Sequence, residues 1–438
     1  MPATECKKIL IQAFTHISPR IVRVEESIMG ITGEPASGQV RSKRYIIFLV
    51  VVMGLVSNMD SWLSLIEATA FPLAIVEFGL TSTNFAFLQG VFGIIVFGVF
   101  FIGWFADAYG RRKGMMLLTL VMGVPTILIV YMSADVFIFL LLYSLVIMGT
   151  TSNLWEVPVS EEAPAKKRGM YGSAAFLIGV IPLYAILGNR IIYATDWRWG
   201  YGVMFFLMLA LLVGLYFMKD PQRWMDSKKA RQKKLGVMDA LRKLKRKDFR
   251  YIAIATTVYL AWTISFKMAT SWGGYFFTSV QGMSPGEWTS LLTVAGLLLP
   301  VSALVSGVLL DKGGRNIVLI LGSLGSVICY AGLGFTGVSY FYWGMFFFMA
   351  MVLAWIYVYL AEIFPTEIRS TSIGVCVTGA RLGYVVGPLF ASSLLTMYPL
   401  MDMFWVIAGL LMVVPLLAFL GKPLETKGKT LEEIEVQR

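Results

Sequence analysis

The sequence predicts an all-α membrane protein: twelve transmembrane helices in two pseudo-symmetric six-helix bundles, with both termini in the cytoplasm. Three observations carry that expectation. The 438 residues are 57% hydrophobic and only 14% charged, against about 25% charged in an average soluble domain. Twelve apolar runs are long enough to cross a hydrocarbon layer ~30 Å thick as helices. Two short charged motifs also recur at nearly one offset. Such a composition excludes an ordinary soluble enzyme, a disordered chain and a collagen-like rod.

Residues 1–44 are polar and mildly basic and hold no short apolar core with a cleavage site, so they read as a cytoplasmic segment and not a signal peptide. Spans 1 to 6 follow at Tyr45–Leu73, Asn84–Phe105, Gly114–Met132, Val136–Val157, Met170–Tyr193 and Trp197–Met218, a first bundle over 45–218. Residues 219–250 carry 13 basic and 4 acidic side chains. They read as a cytoplasmic linker, either an amphipathic helix on anionic lipid or a solvated spacer whose charge enforces topology. Spans 7 to 12, at Tyr251–Phe277, Trp288–Leu310, Ile317–Gly334, Tyr340–Ala361, Thr371–Met397 and Met401–Leu420, make a second bundle over 251–420, and 421–438 is a cytoplasmic tail. Lipid offers backbone amides no partners, so each run must be a helix or a barrel strand; unbroken hydrophobicity lacks a barrel's alternation.

A net charge of +11 raises the question of nucleic acid. Position answers it. Of the 37 Lys and Arg, all but Arg190, Arg198, Lys267 and Arg381 fall in the segments that share one side with the N-terminus. That is the positive-inside pattern, so the charge is topological and no nucleic-acid partner is expected. Cys6, Cys329 and Cys376 are scattered and the only histidine is His16, so neither a disulfide framework nor a metal site is expected. With no GxxxxGK[ST] motif, an ATP-driven pump is disfavoured, and neither a cofactor nor an enzymatic activity is expected.

Gly103, Asp107, Gly110 and Arg111 form GxxxDxxGR after span 2, and Gly307, Asp311, Gly314 and Arg315 repeat it 204 residues later. Glu161, Pro164 and Arg168 form ExxPxxxR after span 4; Glu362, Pro365 and Arg369 repeat it after 201. Two motifs at nearly one offset indicate a tandem duplication of six helices. Asp107 and Asp311 are expected to cap the positive N-terminus of a neighbouring helix, and Arg111 and Arg315 to pair with Glu161 and Glu362. With Arg168, Arg369 and the nearby Glu156 they are assigned to an inner gate, the alternative being loop solvation and topology alone.

Asp60, Glu67, Glu156, Lys267 and Arg381 lie within the spans. Each costs roughly 2.5–3.5 kcal/mol at a helix centre, so each is a functional-site hypothesis. No span holds a histidine, so proton coupling falls to a carboxylate: Asp60 near mid-span, then Glu67 two turns further on the same face. Arg381 stays charged at any realistic pH, so it either attracts an anion or serves as the counter-ion of Asp60 or Glu67. Lys267 shares a polar stripe with Thr263, Thr270 and Gly274. Tyr259, Trp262, Phe266, Trp272 and Tyr275 of span 7 and Tyr357 and Tyr359 of span 10 are placed either to stack on a substrate or to pack the bundle. Arg381, Lys267, Tyr259, Trp262 and Tyr357 are the expected substrate contacts.

The GWFADAYGRRK loop resembles the loop 2–3 signature of the major facilitator superfamily. VSEEAPAKKRG, DPQRW, AEIFPTEIR and ETKGKTLEEIE resemble its branch of sugar porters, metabolite:proton symporters and organic-ion transporters, and the likeness runs from Tyr45 onward. It implies two six-helix bundles that rock about a central cavity. Span 7 lacks the QQxSG-like glutamines of sugar porters and span 4 lacks their arginine. YVYLAEIFPTEIRSTSIGVCVTGARLGYVVGP is instead similar to spans 10 and 11 of organic-ion and metabolite carriers, where an arginine at the position of Arg381 goes with anions. The expectation is therefore a monomeric secondary transporter of the cell membrane, coupling protons to a small organic anion, a carboxylate metabolite. A proton symporter for a sugar or polyol is one alternative. A transporter-like solute sensor is the other.

Overall fold

The computed structural model describes residues 41–152, 154–163, 168–221, 224–225, 246–364, 369–397, 400–421, 423–429 and 431–437. Most of the N-terminal segment and of the basic linker lie outside these, as do Pro164, Pro365 and the side chains of Arg168 and Arg369. Residues 41–45 belong to an N-terminal unit and include the start of the first helix, and Ile46–Arg438 form the second, compact unit.

Among the described residues eleven helices are long and apolar enough to cross a membrane: α1 (Lys43–Glu77), α2 (Ser82–Tyr109), α3 (Arg111–Met132), α5 (Tyr171–Ala194), α6 (Trp199–Phe217), α7 (Asp248–Val280), α8 (Pro285–Lys312), α9 (Arg315–Thr336), α10 (Tyr340–Ile363), α11 (Ser372–Met397) and α12 (Asp402–Leu420). The twelfth, α4 (Val136–Thr150), is shorter. Span 4 was expected to continue to Val157, but it stops short. The helix ends at Thr150 and the chain turns at Thr151. Pro158, which has no N–H to give, sits in the first turn of a new short helix, Glu156–Glu162.

The duplication is visible in the packing. α3 lies against α2, α4 and α6, and α9 lies against α8, α10 and α12. The two bundles meet along α1 with α7, α2 with α11 and α5 with α8. Those pairings exchange under a pseudo-two-fold that relates α1 to α7, α2 to α8 and α5 to α11. Small residues permit the approach. A Cβ on Gly274 of α7 would stand 1.5 Å from the Ala68 carbonyl oxygen of α1, and one on Gly93 of α2 would stand 2.4 Å from the Tyr384 carbonyl oxygen of α11.

α5 is interrupted before Pro182, and Asn58 of α1 fills the gap. Its side-chain amide donates to the carbonyls of Ile178, Gly179 and Ile181 at 3.2, 3.2 and 3.1 Å. Backbone groups freed in an apolar interior thereby keep a partner.

Gly274→Leu should force α1 and α7 apart, because the obstacle is backbone and cannot turn away. A cysteine placed at Thr69, which is buried in the parent, is expected to react with a membrane-impermeant maleimide at least tenfold faster in the Gly274→Leu background.

Candidate functional site

Between the bundles lies a cavity of about 590 Å³. α1 contributes Ser57, Asp60, Ser61 and Ser64, whose spacing of three and four places them on one helical face. The end of α4 and the turn beyond it contribute Thr150, Thr151, Trp155 and Glu156. The second bundle supplies Tyr259, Trp262, Thr263, Phe266 and Lys267 of α7, Tyr357 of α10, and Arg381 and Tyr384 of α11. The cavity runs on to Ser160, Gly307 and Leu310, next to the repeated charged motifs.

Asp60 and Arg381 therefore face one cavity, yet they form no ion pair. Asp60 accepts from the Ser64 hydroxyl at 3.3 Å. Arg381 donates through Nη2 to the Thr151 carbonyl at 2.8 Å, and its buried Nε has no partner. Arg381 is thus not the counter-ion of Asp60 or Glu67. Glu156, expected at the gate, instead lines the cavity, because the chain turns after Thr150 and restarts as a helix at that residue. Of the aromatics, Trp262 stacks on Phe266 with centroids 4.9 Å apart, and Tyr259 and Tyr357 hydrogen-bond through their side chains. Trp272 and Tyr359 are buried in the packing and do not line the cavity.

At the end away from the motifs the bundles are locked together. Glu67, fully buried, accepts from Lys267 Nζ at 2.7 Å, Thr270 Oγ1 at 3.0 Å and Ser271 Oγ at 2.8 Å, and from the Tyr143 hydroxyl. Lys267 also sits over the Tyr384 ring, 5.4 Å from its centroid, and so touches both lock and cavity. Just beyond, the Trp288 indole donates to Thr69 at 2.9 Å, Thr69 donates to Asn189 at 2.7 Å, and Asn189 donates to Thr289 at 3.2 Å. Asp60 and Glu67 thus occupy different environments although one helix carries both.

The motif residues assemble into two matching clusters. Arg111 contacts Glu161 at 2.9 Å and Asp107 at 2.6 Å; Arg315 contacts Glu362 at 2.8 Å and Asp311 at 3.5 Å. Each cluster stays within its own bundle. Asp107 and Asp311 each pair with the arginine four residues further on, and other carboxylates accept from amides at the starts of α3 and α9. Asp220 accepts from the Arg112 amide at 2.8 Å, and Glu425 accepts from the Arg315 and Asn316 amides at 2.9 and 3.0 Å. These carboxylates cap α3 and α9, and their offset of 205 residues marks them as a third repeated position. Gly110 and Gly314, with φ of +120° and +111°, make the turn beside them. A Cβ there would press on the capping oxygens at 2.9 and 3.0 Å.

The profile of the Major Facilitator Superfamily matches residues 46–358. The chain belongs to the major facilitator superfamily. It is accordingly a multi-pass transport protein of the cell membrane and not an enzyme. Among major facilitator relatives it is 25% identical to the glucose transporter GlcP of Staphylococcus epidermidis, over 91% of this chain and 98% of that one. It is also 25% identical to the galactose-proton symporter of Escherichia coli, over 89% and 93%, and 27% identical to the inner membrane metabolite transport protein YhjE of the same organism, over 75% and 80%. The fold is similar to that of the xylose transporter XylE from E. coli, solved in an inward-open conformation, with a TM-score of 0.71, 19% identity, and 90% of this chain and 100% of that one covered.

Removing one partner of a buried ion pair costs roughly 3–5 kcal/mol. Lys267→Met should lower the thermal midpoint of the detergent-solubilised protein by several degrees, and adding Glu67→Gln should restore most of it. Burial works against the Glu425 carboxylate, but amide donation from Asn316, Arg315 and Lys427 outweighs it and holds its pKa below the ordinary 4.5. A lowered folded value stabilises above the unfolded value and is lost as pH falls through the folded one. Glu425→Gln should thus cost thermal stability at pH 7, with the difference from the parent shrinking below about pH 4.5, as a melting series from pH 7 to pH 3 would register.

Proposed function

We propose that this chain is a proton-coupled symporter of a small organic anion, a carboxylate metabolite, working as a monomer by alternating access. The observation that carries the reading is the Arg381 guanidinium, which faces the inter-bundle cavity with its Nε unpartnered and no carboxylate paired to it. A planar donor of this kind suits a carboxylate, held through two parallel N–H bonds. Asp60, on the facing wall and outside any ion pair, is the proton carrier, because loading it removes an uncompensated charge from a poorly polar space. Tyr259, Trp262 and Tyr357 supply the walls on which the apolar body rests, and Lys267 adds positive potential from the lock side.

In this assignment residues 45–218 and 251–420 are the rocking bodies, 219–250 the linker, and both termini face the cytoplasm. The Glu67 lock then closes the outer end and the cavity faces inward. Closure of the inner end is assigned to the clusters of Asp107, Arg111 and Glu161 and of Asp311, Arg315 and Glu362, with Arg168 and Arg369 joined to them by motif position alone. A sugar or polyol is the second reading. It is favoured by the names of the glucose and galactose carriers and by the hydroxyls of Ser57, Ser61, Ser64, Thr150 and Thr151 on the cavity wall.

Uptake into proteoliposomes under an inward proton gradient tests the reading, with counterflow separating a transporter from a sensor. Asp60→Asn should abolish gradient-driven uptake and spare counterflow; loss of neither removes Asp60 from the coupling. Arg381→Ala should weaken carboxylate binding by ~10- to 100-fold, the loss of a charge-assisted hydrogen bond worth about 1.5–3 kcal/mol. Affinity unchanged by that substitution, or retained only for sugars, would transfer the assignment to the second reading.

A further inference from the structure

The charges on the cavity wall do not suit a simple anion. Lys267 is matched by Glu67. With Asp60 carrying the coupled proton, two charges remain, Arg381 on the second bundle and Glu156 on the first. Among the described residues Glu156 has neither an ion-pair nor a hydrogen-bond partner, and it is the carboxylate that sequence reasoning had put outside the substrate site. An anion seated on Arg381 would leave Glu156 as an uncompensated negative charge in the same space, and a cation seated on Glu156 would leave Arg381 unmatched. Either arrangement is penalised where water is scarce.

Both groups line the one cavity. Tyr259 is within electrostatic reach of both Arg381 and Glu156, and its partner Tyr357 is within reach of Glu156 and Asp60. The surface between them is aromatic, built from Tyr259, Tyr357, Trp262 and Tyr384, and ring faces attract ammonium groups. Trp155, only 6% exposed, also lines the cavity.

We infer that the transported carboxylate is dipolar: a small zwitterion whose carboxylate binds Arg381 and whose ammonium, free or alkylated, binds Glu156 against the tyrosine wall. This rests on the carboxylate reading above and narrows it. A net-neutral solute leaves the cavity neutral once Asp60 is protonated, and it ties the first bundle to the second through its own two ends. A monoanion does neither.

The test uses the full-length protein in detergent with three chain-matched ladders: ω-amino acids of two to six carbons, the corresponding carboxylates, and the corresponding alkylamines. Binding is read by thermal shift and by competition. One ω-amino acid length is expected to bind at least tenfold tighter than its carboxylate and its amine. Glu156→Gln should erase that preference while leaving carboxylate binding unchanged or stronger, and Arg381→Gln should weaken amino acid and carboxylate alike. Carboxylates binding as tightly as amino acids, indifferent to Glu156→Gln, would overturn the dipolar inference and leave the organic-anion reading standing. Amines binding alone, or no ligand of any ladder responding to Arg381→Gln, would overturn both. A Glu156→Gln protein that melts like the parent excludes misfolding as the cause.

Discussion

The architecture turns on one buried ion pair. Glu67 and Lys267 come from different bundles, and neither could be left alone in a dry interior without a penalty of several kcal/mol. Wherever these two charges are both dehydrated, α1 and α7 have to be in contact. The hydroxyls of Tyr143, Thr270 and Ser271 complete the carboxylate's hydrogen bonding, and Gly274 allows the backbones to touch one turn further on. The lock is polar, so it can open if water or an alternative partner reaches it, which an equally tight apolar contact would resist. Closure at this end, with the cavity running to the other, follows from where the pair sits along α1.

The charged clusters at the opposite end obey a different logic. Each links a helix end, a loop arginine and a glutamate within one bundle, with a carboxylate from after the sixth helix of that bundle capping the third. They tie the helix ends of each half to one another. The rocking cycle proposed above needs such ties, because force applied at the cavity must then move a whole bundle and not just one helix.

Much of this was readable from sequence, for reasons that differ residue by residue. Twelve spans follow from hydropathy, and the Arg111–Glu161 and Arg315–Glu362 pairs from a motif that occurs twice. Asp220 was visible within DPQRW and Glu425 within ETKGKTLEEIE, but nothing local says that a side chain so distant in sequence caps α3 or α9. The serine face of α1 carried a plain signal in its spacing of three and four. Hydropathy runs through Val157 although the helix stops at Thr150 and restarts at Glu156, and an apolar average does not register that break, so the place of Glu156 on the cavity wall was not legible. The partnership of Glu67 with Lys267 joins residues 200 apart in sequence. Charge pattern marks each as costly but cannot say that the two costs cancel.

The brevity of α4 has a mechanical corollary. Its fifteen residues rise ~22 Å at about 1.5 Å per residue, short of a hydrocarbon layer of ~30 Å. Phe137, Ile138 and Leu141 on this helix are outward-facing, so lipid along this flank has to thin or the helix beginning at Glu156 has to cover the remainder. On the first of these alternatives bilayer thickness enters the energetics of this flank of the protein, and acyl-chain length becomes a variable that acts on the packing of α4.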